Sequence, residues 1–178
     1  LPITVAQAKV HLNMPDAVTK FDSAIENAIK SARGYIEAHT WQVLNDTTFK
    51  LYLDEFPELI EISKTPLIEV SSIEYVDSDG VTQTLSSSEY RVDLVGGRIE
   101  PDQTFPATKS VINAVTVTFK AGYIEDSEEL PSTLLSCVYL LTEHFFRYRG
   151  AIDTTNMKLV EVPYSLNVLL GMSSKRRF

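Results

Sequence analysis

The stretch Phe119–Gly150, FKAGYIEDSEELPSTLLSCVYLLTEHFFRYRG, decides the fold. It begins in the last residues of a strand, breaks at Gly122, and passes through the acidic run Glu125 to Glu129 into a helix expected over 131–149. Pro131 opens that helix at a position where its missing N–H costs nothing. The acids before it complement the positive end of the helix dipole, and Gly150 is the expected C-cap. Leu134, Leu135, Cys137, Val138, Tyr139, Leu140 and Leu141 leave hardly any polar face over two turns, so one neighbouring element cannot cover the helix. Its charges arrive together at the end, Glu143, His144, Arg147 and Arg149 among Phe145, Phe146 and Tyr148.

Upstream the pattern has a period of two, as half-buried strands require. Val115, Val117 and Phe119 share one face of a strand over 114–119; Phe49, Leu51 and Leu53 alternate with Thr48, Lys50 and Tyr52; Ile60 and Ile62 repeat the pattern briefly. VSSIEYV (70–76) and Thr82 to Leu85 flank Asp77-Ser78-Asp79-Gly80, where Asp-Gly supplies the positive φ of a tight hairpin. Tyr90 to Leu94 and Arg98-Ile99-Glu100 flank Gly96-Gly97 in the same way, with Pro101 closing the second strand. A block of some six short strands is expected over about 47–120.

Further upstream the period returns to helical. Thr4 and Gln7 have capping-box spacing, and Val5, Ala8 and Leu12 follow at helical intervals, predicting a helix over 5–12. Asn13-Met14-Pro15-Asp16 ends it, because Pro15 drives Met14 out of the helical region. Thr19 with Asp22 reads as a second cap. Phe21, Ile25, Ala28, Ile29, Ala32 and Ile36 then form one apolar stripe of a helix over about 20–39. Glu26 with Lys30 and Arg33 with Glu37 stand at i,i+4 on its other face as surface pairs. Downstream of Gly150, Asp153 to Lys158 is polar and expected to be mobile, while Pro163 opens VPYSLNVLLG, in which Leu166, Leu169 and Leu170 suit a last helical turn. The fold class is α+β: an N-terminal helix pair packed with a long C-terminal helix, an inserted block of short antiparallel strands, and a flexible tail. A single domain over 1–152 and an extended tail over 153–178 are expected.

At 178 residues one domain is enough, and about 70% of the unfolded surface can be buried at this size. Hydrophobic residues make up 44% and charged residues 22%, the balance of an ordinary globular chain. No apolar run approaches the ~20 residues of a bilayer span, and LPITVAQAKVHL has no basic region ahead of its apolar residues, so no secretory signal is expected there. Cys137 is the only cysteine, which excludes an internal disulfide, fits a reducing compartment, and reads as a small core residue. Net charge is −8; three of the sixteen bases lie in the final SSKRRF, leaving thirteen against twenty-four acids before it, a net of −11. Duplex nucleic acid finds no broad basic footprint on such a body.

Catalytic and ligand signatures are missing. His11, His39 and His144 fall on three separate elements, Glu143 and His144 point about 100° apart on a helix, and no CxxC or HxxxH gathers metal ligands. No G-x-S-x-G elbow is present, and a thiolate at Cys137 would be poorly solvated. Gly96-Gly97 lacks a following GK[ST] and reads as a hairpin turn rather than a phosphate cradle. No catalytic, metal-ligating or cofactor-binding residue is assigned, and no cofactor is expected. What remains is the tip of the long helix, where Phe145, Phe146, Arg147, Tyr148 and Arg149 combine the residue types of interface hot spots. With 145 beside 149 and 144 beside 148 on a helix, guanidinium groups are expected next to aromatic rings. Capping of the helix C-terminus is the alternative role for the same residues.

The order of these segments resembles the head–tail connector (adaptor) proteins of tailed bacteriophages and related gene-transfer particles. Pro2 to Leu12, PITVAQAKVHL, is similar to that family's P-[IV]-[ST]-L-x-E-A-K-x-H-L start, with Gln7 where an acid is usual. Phe21 to Ile25 and Ala32 to Glu37 resemble its second helix. Tyr75 to Gly80, Tyr90 to Asp93 and Gly97 to Ile99 resemble its β block. Ala121-Gly122-Tyr123, Leu130-Pro131 and His144 to Arg149 resemble its closing strand and helix, and Val162-Pro163-Tyr164 with Leu169-Leu170 its tail. The resemblance implies a non-enzymatic virion protein forming a homo-oligomeric ring of about a dozen copies at the head–tail junction. It implies the portal protein above, a tail-completion or stopper protein below, and DNA passing through without specific binding. Synthesis in the host bacterial cytoplasm and no membrane association follow.

On this reading the helices around Phe21–Ile36 and Leu134–Phe146 pack together and bear much of the ring contact. The expected assembly residues are Phe145, Phe146, Arg147, Tyr148, Arg149, Tyr164, Leu166, Leu169, Leu170, Arg176 and Arg177. Residues 153–178 are expected to order against a partner, with SSKRRF on an acidic partner surface and an acidic inner wall facing DNA. Two other classes are open to the sequence: a non-enzymatic module whose β block presents a groove to a peptide or ligand, and a carboxylate-based hydrolase, since twenty-four acids always permit some pair.

Overall fold

The computed structural model describes residues 1–123, 130–148, 152, 153, 158, 159 and 171. The chain divides into two compact units, Leu1–Asn45 with Tyr123–Phe178, and Asp46–Gly122 between them. Helices and strands are thus segregated as expected, with the strand block inserted into a helical unit.

Seven strands form the inserted unit, one more than the sequence suggests. They are β1 (Thr47–Leu53), β2 (Ile60–Glu61), β3 (Leu67–Val76), β4 (Thr82–Thr84), β5 (Tyr90–Asp93), β6 (Arg98–Pro101) and β7 (Val115–Ala121). One antiparallel sheet has the order β1-β7-β3-β4, the other β2-β6-β5. β7 is central, and its Val115, Val117, Phe119 and Ala121 are all buried. Its period of two makes rows across three strands: Phe49–Phe119–Val70, then Leu51–Val117–Ile73. Cross-strand rows of this kind are the unit of sheet stability; the Phe49 and Phe119 rings lie 5.8 Å apart. In the smaller sheet Ile60, Ile99 and Val92 form the matching row.

Both hairpins are held by an aspartate at their first corner. Asp77 Oδ1 accepts from the amides of Asp79 and Val81, at 3.0 and 2.9 Å, and Gly80 takes φ +88°. Asp93 Oδ1 accepts from the amides of Val95 and Gly96 while its Oδ2 meets Arg98, and Gly97 takes φ +66°. A short polar side chain that caps its own turn is the physical content of these sequence signals. The Gln83 amide and Val81 N–H hold the Asp77 carboxyl below its ordinary range. The Gly96 N–H and Arg98 do the same to Asp93.

The helical unit contains α1 (Val5–His11), α2 (Asp22–Thr40) and α3 (Ser132–Arg147), followed by the two-residue strands β8 (Ile152–Asp153) and β9 (Lys158–Leu159), which pair antiparallel. The capping box forms: Thr4 Oγ1 accepts from the Gln7 amide, and Gln7 Oε1 from the Thr4 amide. α1 ends by a different route from the one expected, since Asn13 rather than Pro15 makes the stop. Asn13 adopts φ +53°, its amide reaches Val10 O, and the Met14 amide reaches Lys9 O. That pair of bonds is a Schellman closure with asparagine in the left-handed position. The predicted cap at Thr19 is corrected too: the N-cap is Phe21, without a side-chain cap bond. Asp22, the residue meant to complete that cap, instead places Oδ1 2.8 Å from Lys9 Nζ.

The stripe Ile25, Ala28, Ile29, Ala32 and Ile36 is buried as predicted, against Leu134, Cys137, Val138 and Leu141 of α3. α3 packs on both α2 and α1, so its breadth of apolar surface does take two neighbours. It is not apolar all round, however, because Ser132, Ser136 and Arg147 face solvent. It also ends at Arg147 with Tyr148 as C-cap, before the predicted 149, and Gly150 lies outside the described residues. The predicted mobility of Asp153 to Lys158 is modified at its ends, whose backbones pair, while 154–157 lie outside the described residues.

Candidate assembly surface

The aromatic tip of α3 is first of all tied into its own unit. Phe146 meets Phe21 edge-on at 5.9 Å, and Phe145 meets Tyr35 edge-on at 6.3 Å. Tyr35 in turn stacks on His39 at 4.1 Å. Phe145 and Phe146 are half-buried and pack against the helical core. The guanidinium–ring contact expected of 145 with 149 lies outside the described residues; Arg147 pairs with Glu143, Nε to Oε1 at 2.8 Å. Tyr148 is exposed, with its ring 5.4 Å from His144. Burial lowers the His144 pKa from its ordinary value.

The sequence separates His11 from α3 by more than a hundred residues, yet the fold brings them together. The His11 ring stacks on Tyr139 at 5.0 Å, and its Nε2 lies 3.3 Å from Glu143 Oε2. That approach is close enough for an ion pair but poorly aligned for a hydrogen bond. Glu143 thus bridges α1 and the last turn of α3. Among the described residues no group of three acids, histidines or cysteines is placed to hold a metal ion, and no helix is long and apolar enough to cross a membrane. Cys137 is buried, and that burial pushes its thiol pKa up, away from nucleophilic use.

Two features have no counterpart in the sequence reading. Lys9 is 3% exposed; its Nζ donates to the Asp16 carbonyl at 2.9 Å and faces Asp22 at 2.8 Å and Asp16 Oδ1 at 3.7 Å. One ammonium therefore fastens α1, the following loop and the start of α2. The available signal was its position four residues after Val5 and next to Ala8, on the apolar side of α1. The other is Trp41, 66% exposed and at φ +60°. A bulky residue with positive φ is an outlier held by its surroundings, here by Glu37. The Glu37 carbonyl accepts from the Trp41 amide, and its Oε1 accepts from Arg33 Nε and the Leu44 amide, both at 2.9 Å. The pair predicted as surface decoration thus shapes the exit from α2, returning Leu44 to the core and leaving the indole outside. Val10 and Leu140 are further exposed apolar residues of this unit.

Of the residues expected at an assembly contact, Phe145, Phe146, Arg147 and Tyr148 come together on the last turn and cap of α3. Arg149, Tyr164, Leu166, Leu169, Leu170, Arg176 and Arg177 lie outside the described residues.

Neither a family model nor a curated protein sequence matches the chain. Solved structures do. A chain in the neck of an empty gene transfer agent (GTA) particle, computed with C6 symmetry, superposes with a TM-score of 0.80 at 21% identity over 99% of this chain and 91% of its own. A chain in the virion of a native GTA particle gives 0.80 at 22% over 99% and 91%. One in the neck of a native GTA particle, computed with C12 symmetry, gives 0.76 at 22% over 98% and 89%. Nearly end to end, this chain has the α+β fold of chains found in the neck of gene transfer agent particles.

Proposed function

We propose that the chain is a structural, non-catalytic virion protein, a head–tail connector that forms a ring between portal and tail with DNA passing through its centre. The observation that carries this reading is the end-to-end match to chains of symmetric necks, with C6 and C12 symmetry. A single α+β connector domain over 1–152 with residues 153–178 extending from it fits such a part. So does the acidic body, net −11 before the final six residues, because like charge keeps a passing duplex from adhering. Ring contacts between identical subunits are heterologous, so two different faces of one chain must complement each other. The exposed Trp41, Val10, Leu140 and Tyr148 of the helical unit, together with Arg147, are material for them. Arg149, Tyr164, Leu166, Leu169, Leu170, Arg176 and Arg177 complete the proposed contact set with the next copy, the portal and the tail-completion protein.

Negative-stain microscopy of the chain with and without its portal tests this reading. Rings seated on the portal are expected, whatever the mass of the free protein, since a ring can require a template. A chain that neither forms rings nor binds a portal or tail protein overturns it. A peptide-binding module is the second reading, favoured by one observation, a cleft of about 510 Å³ in the strand unit beside Phe56 and Phe105.

A further inference from the structure

That cleft has a specific chemistry. Phe56 is held edge-on by Tyr75 at 5.5 Å and stacks on Phe105 at 4.6 Å with the rings 10° from parallel. Pro101 and Pro106 extend the apolar wall, and Glu55 and Glu58 stand at the rim, both exposed. A second cleft of about 380 Å³ adjoins it, sharing Glu55 and Thr108, and is walled by Val111 and Ile112, the latter 84% exposed. Among the described residues no lysine, arginine or histidine lines either cleft. The nearest base in sequence, Lys109, turns to the Gly80 corner, where a Cβ would lie 2.9 Å from its Nζ. Asp54 is engaged by the Asn113 amide at 2.8 Å, which leaves Glu55 and Glu58 as the carboxylates open to an incoming cation.

An aromatic slot with an acidic rim, continuous with an aliphatic one, calls for a segment that is aliphatic, then basic, then aromatic. Residues 169–178, LLGMSSKRRF, have that order. The stretch from Leu159 to Phe178 can span at most about 65 Å when extended. We propose that this double cleft of one copy receives residues 169–178 of the next copy. Phe178 enters beside Phe56 and Phe105, Lys175, Arg176 and Arg177 lie along Glu55 and Glu58, and Leu169 and Leu170 meet Val111 and Ile112. The inference rests on the ring reading and gives its heterologous contact a second, tail-borne part. Cation–carboxylate pairs at an exposed rim set register and salt dependence, while the buried aromatic supplies most of the affinity.

The test is fluorescence anisotropy of a labelled peptide of residues 169–178, titrated with the full chain carrying Arg176→Glu and Arg177→Glu so that its own segment does not compete. Saturable binding is expected, weakened about fivefold by Glu55→Gln with Glu58→Gln, two rim pairs of ordinary strength. Phe105→Ser is expected to weaken it at least about tenfold, a typical hot-spot loss. Glu26→Gln, a carboxylate change on the helical unit, should leave it unchanged. The charge-only double variant keeps the result interpretable if the Phe105 variant fails to fold. No saturable binding, equal binding to the rim variants, or equal competition by a scrambled peptide of the same composition overturns the proposal. Microscopy of portal-bound rings reads the ring hypothesis separately, so rings without peptide binding sink only the cleft assignment, and peptide binding without rings sinks only the connector reading.

Discussion

Replacing Lys9 with methionine is the most informative single perturbation of the helical unit. Methionine keeps the length of the aliphatic stem and removes only the ammonium, which is 3% exposed and reaches the Asp16 carbonyl at 2.9 Å and Asp22 Oδ1 at 2.8 Å. A charge-assisted hydrogen bond at about 1.5–3 kcal/mol and a close ion pair are lost. Removing the desolvation cost of the buried ammonium offsets part of that. Asp22 Oδ1 is itself shielded from water and is left without its cation, although the side chain as a whole is 40% exposed and sits in the first turn of α2, where negative charge is tolerated. The net expectation is a destabilisation of about 2–3 kcal/mol, a fall in Tm of roughly 5–10 °C for a chain of this size. Urea unfolding followed by tryptophan emission suits the assay, because Trp41 is the only tryptophan and lies at the end of α2 in the same unit. The midpoint should move with the slope unchanged. In a cycle with Asp22→Asn, about 1 kcal/mol or more of coupling is expected. A loss below about 0.5 kcal/mol with no coupling would refute the reasoning that Lys9 clamps α1 to α2.

Glu37→Ala removes the acceptor shared by Arg33 and the Leu44 amide; about 2 kcal/mol of destabilisation and a shift in Trp41 emission are expected, where an exposed i,i+4 pair alone would cost a few tenths. Thr142 is 1% exposed, and its Oγ1 has no hydrogen-bond partner among the described residues, so Thr142→Val should raise stability by about 0.5–1 kcal/mol in calorimetry; a loss would show that the hydroxyl is satisfied. Burial holds the folded His144 below its ordinary value of 6.5, so the unfolded chain binds the extra proton first as pH falls through that value, and stability drops. Urea midpoints at about pH 7.5 and about pH 5.5 should therefore differ less in His144→Gln than in the wild type; an equal or larger difference contradicts the burial argument.

The elements whose signals are local were legible in the sequence. The period of β7, the aspartate-cornered hairpins, the capping box at Thr4 and the stripe of α2 each follow from residues within a few positions of one another, and each formed. The failures share one cause, a partner distant in sequence or a competing bond. Asp22 left the Thr19 cap for Lys9. The helix tip was read as an assembly contact, and its packing within its own unit was not foreseen, because Phe21 and Tyr35 lie more than a hundred residues away. Lys9 was invisible as a core residue for the same reason, since its burial depends on a loop folding back over α1. The Phe56–Phe105 cleft joins residues from two loops that carry no periodic pattern at all.

The connector reading meets its most direct test in cryo-electron microscopy of particles assembled with this chain bearing a fused density tag. Tag density repeated around the axis in a single ring at the head–tail junction is the predicted result. Tag density along the tail or on the capsid, or particles that lack the chain altogether, would contradict it.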